Sequence, residues 1–314
     1  MISVGGENLI DLVSGDAAAN GLPQYIANPG GSPFNVAMAA GRQGQDVAYL
    51  TPVSEDALGE LLATRLEQSE VTLAAPRVPH PTSLAVVSIS DEGIPSYAFH
   101  RNGTAERQIS IDGLDRDLPA ATTLFHVGSL GLIDGVDADC WEAFFAACQR
   151  RGLMTSLDPN VRPGLIADPD AYVARLKRMM RHADIFKLSD EDLIWLYPDR
   201  PLEAALADCR ADCDATLFIL TLGGDGSRAF LGDIEIVADA AKVDDLVDTV
   251  GAGDTYMASI LSFVVENDLA SRAALAAITE DALRAAIHRA AAAAAINCGR
   301  SGCNPPWRDE LARV

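Results

Sequence analysis

The chain has 314 residues, 49% hydrophobic and 22% charged, a composition that excludes a disordered chain, a collagen-like repeat and a coiled-coil rod. Asp and Glu number 45 against 24 Lys and Arg, so the formal net charge is −21. An acidic surface repels phosphate backbones, and we therefore expect no nucleic-acid partner.

The cysteines and the apolar segments favour a cytoplasmic protein. The six cysteines include no Cys-x-x-Cys pair, and no His lies at zinc-finger spacing, so neither a structural zinc site nor a disulfide scaffold is expected. The first residues lack the basic and apolar regions of a signal peptide. The apolar run at residues 290–296 is too short to span a bilayer, so we expect no membrane segment.

Short apolar runs rich in β-branched residues alternate with helical patterns along the chain. In chain order, the predicted elements are a strand at 1–4, a helix at 33–42, a strand at 46–50, a helix at 57–68, a strand at 122–127, a helix at 138–151, a strand at 154–157, a helix at 169–182, a strand at 184–188, a helix at 201–213 and a strand at 216–221. This alternation predicts an α/β protein with a three-layer, Rossmann-like, mostly parallel sheet and helices on both faces.

Two segments interrupt that alternation. Residues 83–90 and 96–100 flank a turn-rich stretch and predict a hairpin, and residues 9–26 hold polar residues and glycine where a helix is expected. No internal repeat or low-complexity linker divides the chain. We therefore expect one domain over residues 1–314, with a small β-sheet lid contributed by about residues 12–27 and 84–108.

The sharpest motif is the glycine-rich turn at residues 248–255, which leads directly into an apolar helical pattern. Glycines and a small residue let backbone N–H groups converge on an anion, and a helix N-terminus adds its positive dipole end. Asp254 stands at the start of this helix. It is either an ordinary N-cap or a general base that accepts a proton from a hydroxyl attacking a phosphoryl group.

A second glycine turn, at residues 221–226, follows the strand at 216–221 and precedes an apolar run at 228–231. It is either a plain hairpin turn or part of a phosphate site. Neither turn is a Walker A loop, and no dinucleotide fingerprint follows the first strand. The sequence therefore disfavours a nicotinamide oxidoreductase.

Several blocks in order along the chain resemble the ribokinase/PfkB family of carbohydrate kinases, and most closely its fructokinase branch. The blocks are Gly6-Glu7-Asn8-Leu9-Ile10-Asp11, Pro29-Gly30-Gly31-Ser32-Pro33-Phe34-Asn35-Val36-Ala37, Leu157-Asp158-Pro159-Asn160-Val161-Arg162-Pro163, Thr221-Leu222-Gly223-Gly224-Asp225-Gly226, Asp248-Thr249-Val250-Gly251-Ala252-Gly253-Asp254 and Asn297-Cys298-Gly299-Arg300-Ser301-Gly302-Cys303-Asn304-Pro305-Pro306. The resemblance covers nearly the whole chain.

The resemblance implies a role for each matched position. Catalysis falls to Asp254 as the base and to Gly251, Ala252 and Gly253 as the anion-binding turn. Sugar binding falls to Asp11, Gly30, Gly31 and Asn35, and to Arg101 of a further block, Ser96-Tyr97-Ala98-Phe99-His100-Arg101, which resembles the lid strand of fructokinases. Arg162 is assigned to the sugar or to the nucleotide phosphate. Binding of the nucleotide falls to Lys187, Ser189, Thr221, Gly223, Gly226 and Asn297. Without the other motifs, Asp11 would be interpreted as a turn residue, Asn35 as a helix-start amide and either arginine as a solvated surface residue.

The metal positions depart from the family pattern. Many relatives carry Lys-x-Asn-x-x-Glu, whereas this chain has Ser189 for the Asn and Asp192 for the Glu. Asp192 and Glu191 are therefore either outer-shell Mg²⁺ or water ligands, or a capped and charged first helical turn. The resemblance also implies a monovalent-cation site, with K⁺ as the candidate ion, at Asp248, Val250, Arg300 and Gly302.

The sequence thus predicts an ATP-dependent sugar kinase that uses Mg²⁺, with fructose as the expected substrate and a homodimer formed through the lid. The alternatives of the same fold are a ribokinase, a 2-keto-3-deoxygluconate kinase and a nucleoside kinase. The alternative from another class is a catalytically inactive sugar-binding regulator.

Overall fold

Nine strands form one large sheet in the computed structural model, which describes residues 1–15, 20–89 and 95–312. The strands, numbered in chain order together with those of a second sheet, are β1 (Ile2–Gly5), β4 (Val47–Tyr49), β5 (Val71–Leu73), β8 (Leu124–Gly128), β9 (Met154–Asp158), β10 (Ile185–Ser189), β11 (Leu217–Thr221), β12 (Ser227–Leu231) and β13 (Ile234–Ala238). Their order is β13-β12-β11-β10-β9-β8-β1-β4-β5. All neighbours pair in parallel except β11–β12 and β12–β13.

Helices cover both faces of this sheet. They are α1 (Ser32–Arg42), α2 (Ala57–Glu67), α3 (Ile111–Asp117), α4 (Gly135–Arg150), α5 (Pro169–Met180), α6 (Asp190–Leu196), α7 (Leu202–Asp212), α8 (Ala252–Glu266), α9 (Arg272–Ala276), α10 (Glu280–Cys298) and α11 (Arg308–Leu311). Along β11, Leu217 and Ile219 pack in the core shared with α1, α8 and α10, whereas Phe218 and Leu220 pack in the core shared with α4 to α7. Successive side chains of a strand point to opposite faces, so both faces must be apolar.

A second, smaller sheet contains β2 (Leu9–Ser14), β3 (Tyr25–Gly30), β6 (Leu84–Ile89) and β7 (Pro95–His100). Their order is β3-β2-β6-β7, with β2–β6 parallel and the other two pairs antiparallel. The predicted hairpin therefore pairs β6 with β7. Its predicted turn is at residues 91–95, of which 91–94 lie outside the described residues, as do residue 90 and residues 16–19 of the other segment.

The predicted fold class is confirmed: a large, mostly parallel sheet with helices on both faces carries a smaller sheet. Six described elements were not predicted, which are β5, α3, α6, α9, α11 and β13. Among the described residues, no helix has the length and apolar composition needed to cross a bilayer.

The parallel strands bring their carboxyl ends together at one edge of the large sheet. Gly5 lies beside Val127, Gly128 beside Asp158, and Ser189 beside Thr221. The segments that follow these strands therefore meet, and ligand sites of open α/β sheets form at this edge.

Candidate active site

The glycine turn ends where α8 begins, as predicted. Gly251 is the N-cap of α8 and has φ +75°, a left-handed conformation that favours glycine. A Cβ at this position would also overlap the Sγ atom of Cys303. Ala252, Gly253 and Asp254 form the first turn, where helical N–H groups lack a preceding carbonyl partner. The turn can therefore present backbone donors and a positive dipole end to an anion.

Asp254 is not the N-cap of α8. It is the third residue of the helix, and its side chain points to α1, where Oδ1 accepts from Ser32 Oγ at 2.6 Å and Oδ2 accepts from Asn35 Nδ2 at 2.8 Å. Asn160 Nδ2 lies 3.5 Å from Oδ1. Burial raises the pKa of Asp254, although the bonds from Ser32 and Asn35 lower it in part. A buried carboxylate with a raised pKa, held by neutral donors, is suited to accept a proton.

Asn35 presents an unused acceptor beside this carboxylate. Its Nδ2 is bonded to Asp254, but its Oδ1 atom is buried and has no hydrogen-bond partner in the described part of the chain. Buried polar atoms are nearly always partnered, so an orphaned carbonyl points to a missing donor. A substrate hydroxyl next to Asp254 would supply that donor.

A buried ion pair places a positive charge under the glycine turn. Lys187 of β10 donates to Asp158 Oδ2 at 2.7 Å, and both side chains are nearly inaccessible. Burial alone would lower the pKa of Lys187, but the Asp158 carboxylate outweighs it and raises the pKa above its usual range. Lys187 Nζ lies 3.5 Å from the position that a Cβ on Gly253 would occupy. The amine therefore stays charged within reach of an anion at the turn.

Asp11 lies within strand β2, opposite Asn28 of β3, so its interpretation as a turn residue is wrong. A Cβ on Gly30 would lie 2.5 Å from Asp11 Oδ2, and only glycine leaves this carboxylate its place. Burial raises the pKa of Asp11 to about 6, against a lowering by the Arg162 guanidinium. The carboxylate is ionised at neutral pH and can accept from two hydroxyls.

Gly31 allows the chain to turn sharply into α1. Its φ is +112°, and a Cβ would lie 2.7 Å from the carbonyl oxygen of Glu7. Asn35 is the fourth residue of the helix, and its side chain crosses to α8. The role of Asn35 is therefore not limited to that of an amide at the start of a helix, because its side chain binds Asp254.

The two arginines assigned to the sugar differ in their surroundings. Arg101 is buried and makes a two-bond ion pair with Glu106, with N–O distances of 2.8 and 3.1 Å, and also donates to Leu130 O. Arg162 is exposed and donates to Asn160 Oδ1 at 2.6 Å. Burial raises the pKa of Asp11, and the charge of the Arg162 guanidinium lowers it.

The turn after β11 is a hairpin, because β11 and β12 pair antiparallel. Thr221 ends β11 and is half-buried, and a Cβ on Gly223 would have no atom within 4 Å. Gly226 has φ +96°, and a Cβ there would overlap the backbone of Ala238 and Ala240. Gly226 is therefore required by the hairpin itself, whereas Gly223 faces open space.

Asn297 uses both ends of its amide within the protein. Its Nδ2 donates to Val250 O at 2.8 Å, and its Oδ1 accepts from Asn304 N at 2.8 Å. The residue ties the glycine turn to the segment after α10.

The structure separates the two acids assigned to Mg²⁺. Ser189 and Asp192 form a capping box at the start of α6, and Asp192 Oδ1 also accepts from Val161 N at 2.8 Å. Glu191 is exposed. The interpretation as a capped and charged first helical turn is thus correct for Asp192. Within residues 1–15, 20–89 and 95–312, no group of three His, Cys, Asp or Glu side chains is arranged to hold a metal ion.

Asp248 joins the two segments that are assigned to a monovalent cation, one around Val250 and the other around Gly302. Its Oδ1 accepts from Val250 N at 3.0 Å and its Oδ2 from Gly302 N at 2.9 Å. The Arg300 guanidinium turns to Glu310, at 2.5 Å. Two of the other three predicted positions, Val250 and Gly302, therefore contact the Asp248 carboxylate.

Four further residues at this edge were not singled out from the sequence: Glu7, Ser32, Asp158 and Asn160. Each lies inside a quoted family block, but the block alone does not indicate a side-chain contact with a residue far along the chain. Asn160 carries one further signal, a φ of +38°, which is unusual outside glycine and visible only in the structure.

Comparison with known proteins finds relatives that all belong to one class, the carbohydrate kinases. The model of the "pfkB family carbohydrate kinase" matches residues 3–310. A fructokinase of Rhizobium leguminosarum bv. trifolii is 36% identical over 289 residues, covering 90% of this chain and 86% of the relative. A probable chloroplastic fructokinase of Arabidopsis thaliana is 33% identical, covering 84% of this chain and 70% of the relative.

Solved structures share the fold. A fructokinase from Xylella fastidiosa with bound ATP superposes with a TM-score of 0.88 at 23% identity, covering 99% of this chain and 97% of that one. A Vibrio cholerae fructokinase in a fructose, ADP and calcium ion bound form has a TM-score of 0.83 at 24% identity, covering 99% and 97%. At these sequence identities, the two structural matches establish that the fold is shared.

Proposed function

Because the chain belongs to the pfkB family of carbohydrate kinases, we propose that this sugar kinase transfers the γ-phosphoryl group of ATP to a primary hydroxyl of fructose. The observation that carries the proposal is the buried Asp254 carboxylate at the start of α8, next to the unpartnered Oδ1 atom of Asn35. A hydroxyl placed there would donate to Asn35 Oδ1 and would at the same time face the Asp254 carboxylate as its base. Both groups adjoin the anion-binding turn.

Asp254 acts as the general base in this proposal. It takes the proton of the sugar hydroxyl while the oxygen forms a bond to the γ-phosphorus and the bond to the bridging oxygen of ADP breaks. Ser32 and Asn35 hold the carboxylate in place with bonds of 2.6 and 2.8 Å. ADP and the sugar phosphate are the products, and the proton stays on Asp254 until it passes to water.

Gly251, Ala252 and Gly253 stabilise the charge that develops on the transferred group through backbone donors and the α8 dipole. Lys187 adds a full positive charge, which Asp158 keeps in position. Mg²⁺ bound with the nucleotide neutralises phosphate charge, and it commonly keeps several waters rather than a protein cage. Glu191, which is exposed, is its proposed outer-shell partner through water, whereas both carboxylate oxygens of Asp192 are committed to backbone N–H groups.

The nucleotide occupies the edge formed by Thr221, Gly223 and the residues after β13. Gly223 borders open space, which suits a close approach of phosphate and ribose. Val237, Leu246 and Val250 are about half or more exposed, and such apolar side chains suit the face of a base. Ser189, Gly226 and Asn297 support this edge through the α6 cap, the hairpin and the glycine turn.

Asp11, Gly30, Gly31 and Arg162 form the other side of the sugar site, across from Asp254. The glycines admit the Asp11 carboxylate and the turn into α1. Arg101 is proposed to fix the loop after β7, because its guanidinium is committed to Glu106. Fructose is preferred over ribose, 2-keto-3-deoxygluconate or a nucleoside because relatives at 36% and 33% identity are named fructokinases.

The decisive experiment measures ADP release with fructose, ribose, 2-keto-3-deoxygluconate and adenosine, using a coupled assay. We expect turnover with fructose and a kcat/KM well above that of the other three. Preference for another acceptor would replace fructose while leaving the kinase assignment intact. Absence of transfer to every acceptor would favour an inactive sugar-binding regulator.

A monovalent-cation site at Asp248, Val250, Arg300 and Gly302 also belongs to the proposal. Asp248 draws the backbone of Val250 and Gly302 to one point, and backbone carbonyls supply most ligands of such a site. Replacing Na⁺ by K⁺ at constant ionic strength should increase kcat. Equal rates in the two salts would remove the site from the proposal.

The quaternary proposal is a homodimer formed through the small sheet. Leu22, Tyr25 and Ile26 are 61%, 45% and 59% exposed at the β3 side of that sheet. A small sheet covers its apolar residues more completely when a second copy packs against it. We also propose a single domain over residues 1–314 and a cytoplasmic location, where the six cysteines stay as the thiols seen here.

A further inference from the structure

Glu7 is a buried carboxylate for which the proposed reaction has no use. It follows β1 and is only 1% exposed. Its Oε1 accepts from Ser32 N at 2.8 Å, and its Oε2 from Gly131 N at 3.4 Å. Its backbone carbonyl accepts from Tyr49 Oη at 2.9 Å. The carboxylate therefore faces two backbone donors from segments far apart in the chain.

The first donor belongs to the helix that holds the base. The N-cap of α1 is Gly31, which has no side chain to cap the helix, and Pro33 supplies no N–H. Glu7 replaces the missing cap by accepting from Ser32 N. The same Ser32 donates from Oγ to Asp254 Oδ1 at 2.6 Å. One residue thus links the Glu7 carboxylate to the Asp254 carboxylate.

The second donor belongs to a turn that is linked to the small sheet. Gly131 lies in the short 3₁₀ turn Ser129–Leu132. The neighbouring Leu130 carbonyl accepts from Arg101, which directly follows β7 and is fixed by Glu106. A change in the position of β7 is therefore passed to the turn that Glu7 binds.

We propose that Glu7 is a positioning residue that holds Ser32 against Asp254 and connects this contact, through Gly131 and Arg101, to the small sheet. The inference rests on the proposed function, in which Asp254 is the base. Glu7 touches neither substrate, and its effect on the reaction passes through Ser32.

The chemistry of the carboxylate fits this role. An ionised carboxylate only accepts, which matches two N–H groups pointing at it. Glutamine at this position would turn an NH₂ group toward one of those donors, and one contact would be lost. Burial raises the pKa of Glu7 to about 7, opposed by Arg101 and by the bond from Ser32, with Glu106 acting in the same direction as burial.

The test compares Glu7→Gln with Ser32→Ala, their double variant and the control Asp184→Asn. Asp184 is buried, like Glu7, and accepts from Thr155 N at 2.8 Å. It directly precedes β10 and so lies at the amino ends of the parallel strands, away from the proposed site. We expect Glu7→Gln to lower kcat about ten- to a hundredfold, as misplacement of a reacting group does, with both KM values within about twofold. Asp184→Asn should lose thermal stability and keep kcat.

The pH profile separates positioning from through-space charge. Burial raises the pKa of Asp254 and the hydrogen bond from Ser32 lowers it, so loss of that bond raises the pKa further. Removing the negative charge of Glu7 without moving Ser32 would lower it instead. The acidic limb of kcat, measured at saturating sugar so that the effect of Asp11 on the sugar KM does not enter, should therefore move to higher pH in Glu7→Gln and in Ser32→Ala. The other charged groups facing Asp254, Asp158 and Lys187, are unchanged.

The double variant shows whether Glu7 acts through Ser32. We expect its kcat to equal that of the more damaged single variant, since both remove the same contact. Multiplied losses, an unchanged kcat in Glu7→Gln, or an acidic limb moved to lower pH would each overturn the proposal. If the wild-type protein phosphorylates no acceptor, the proposed function fails separately. The Asp254 carboxyl is then titrated by ¹³C NMR, and the Glu7 proposal stands or falls on whether Glu7→Gln raises that pKa.

Discussion

Asp254→Asn isolates proton removal from every other role of this side chain. Asparagine keeps the size and one acceptor for Ser32 or Asn35 but lacks the basic carboxylate. Loss of a general base should lower kcat by about 10² to 10⁴, while ATP and sugar still bind. Steady-state kinetics and calorimetric titration of both substrates check this expectation. Turnover near the wild-type value would contradict the assignment of the base.

Asp11→Ala should raise the KM for the sugar far more than the KM for ATP. An ionised acceptor of substrate hydrogen bonds contributes about 1.5 to 3 kcal/mol to binding. Equal increases in both KM values would indicate that Asp11 has a structural role and does not bind the sugar.

Acidification should imitate the loss of Asp11 in the wild-type enzyme. The folded pKa of Asp11 is raised to about 6, so its carboxylate gains a proton as the pH falls through 6 and accepts fewer hydrogen bonds. The sugar KM should therefore rise below pH 6 and stay flat in Asp11→Asn. Initial rates between pH 5 and 8 test this, and a sugar KM that is constant across that range would contradict it.

Single residues of the site were predictable where the residue types and spacing of a motif indicate its chemical role. Asp254 and Gly251 stand in a turn whose glycines and following helix are visible in the sequence. The partners of Asp254 were not predictable, because Ser32 lies 222 residues away and only the packing of α1 against α8 brings them together. Arg101 shows the converse, since its motif does not reveal that Glu106 occupies its guanidinium.

At the scale of the element, Gly251→Ala should disturb the start of α8 more than a positive φ alone would. Gly152→Ala is the matched control, because Gly152 has φ +82° but no atom within 4 Å of an added Cβ. The control should lose about 1 to 2 kcal/mol of the free energy of unfolding, from backbone strain. Gly251→Ala adds the overlap with Cys303 and should lose more, together with kcat. Denaturant melts and kinetics of the two variants decide, and equal losses would contradict the overlap.

Strands and helices of the large sheet were predictable because their apolar patterns are continuous and long. Predicted boundaries at 154–157 and 216–221 lie within one residue of β9 and β11. Short elements such as β5 and α6 were missed, since three to seven residues carry too few positions to define a period. The parallel pairing of β2 with β6 was also out of reach, because it joins strands that are far apart in the chain.

At the scale of the whole molecule, the small sheet should respond to the sugar as a lid. Protection of residues 83–108 from hydrogen exchange should rise at saturating fructose, because closure excludes water from the transferred group. A dimer contact through Leu22, Tyr25 and Ile26 should appear in sedimentation and be lost in Ile26→Lys. Unchanged exchange in a protein that sediments as a monomer would remove both roles.

The separation of Asn35 from Asp254 by 219 residues has a consequence for biosynthesis. At about 5–20 residues per second, the ribosome finishes α1 roughly 10 to 40 s before it adds the carboxylate that α1 will hold. During that interval the side chains of Ser32 and Asn35 lack their Asp254 partner, and the nascent chain lacks the proposed base. A fragment that ends before Asp254 therefore lacks the proposed base and should not transfer phosphate from ATP at this site.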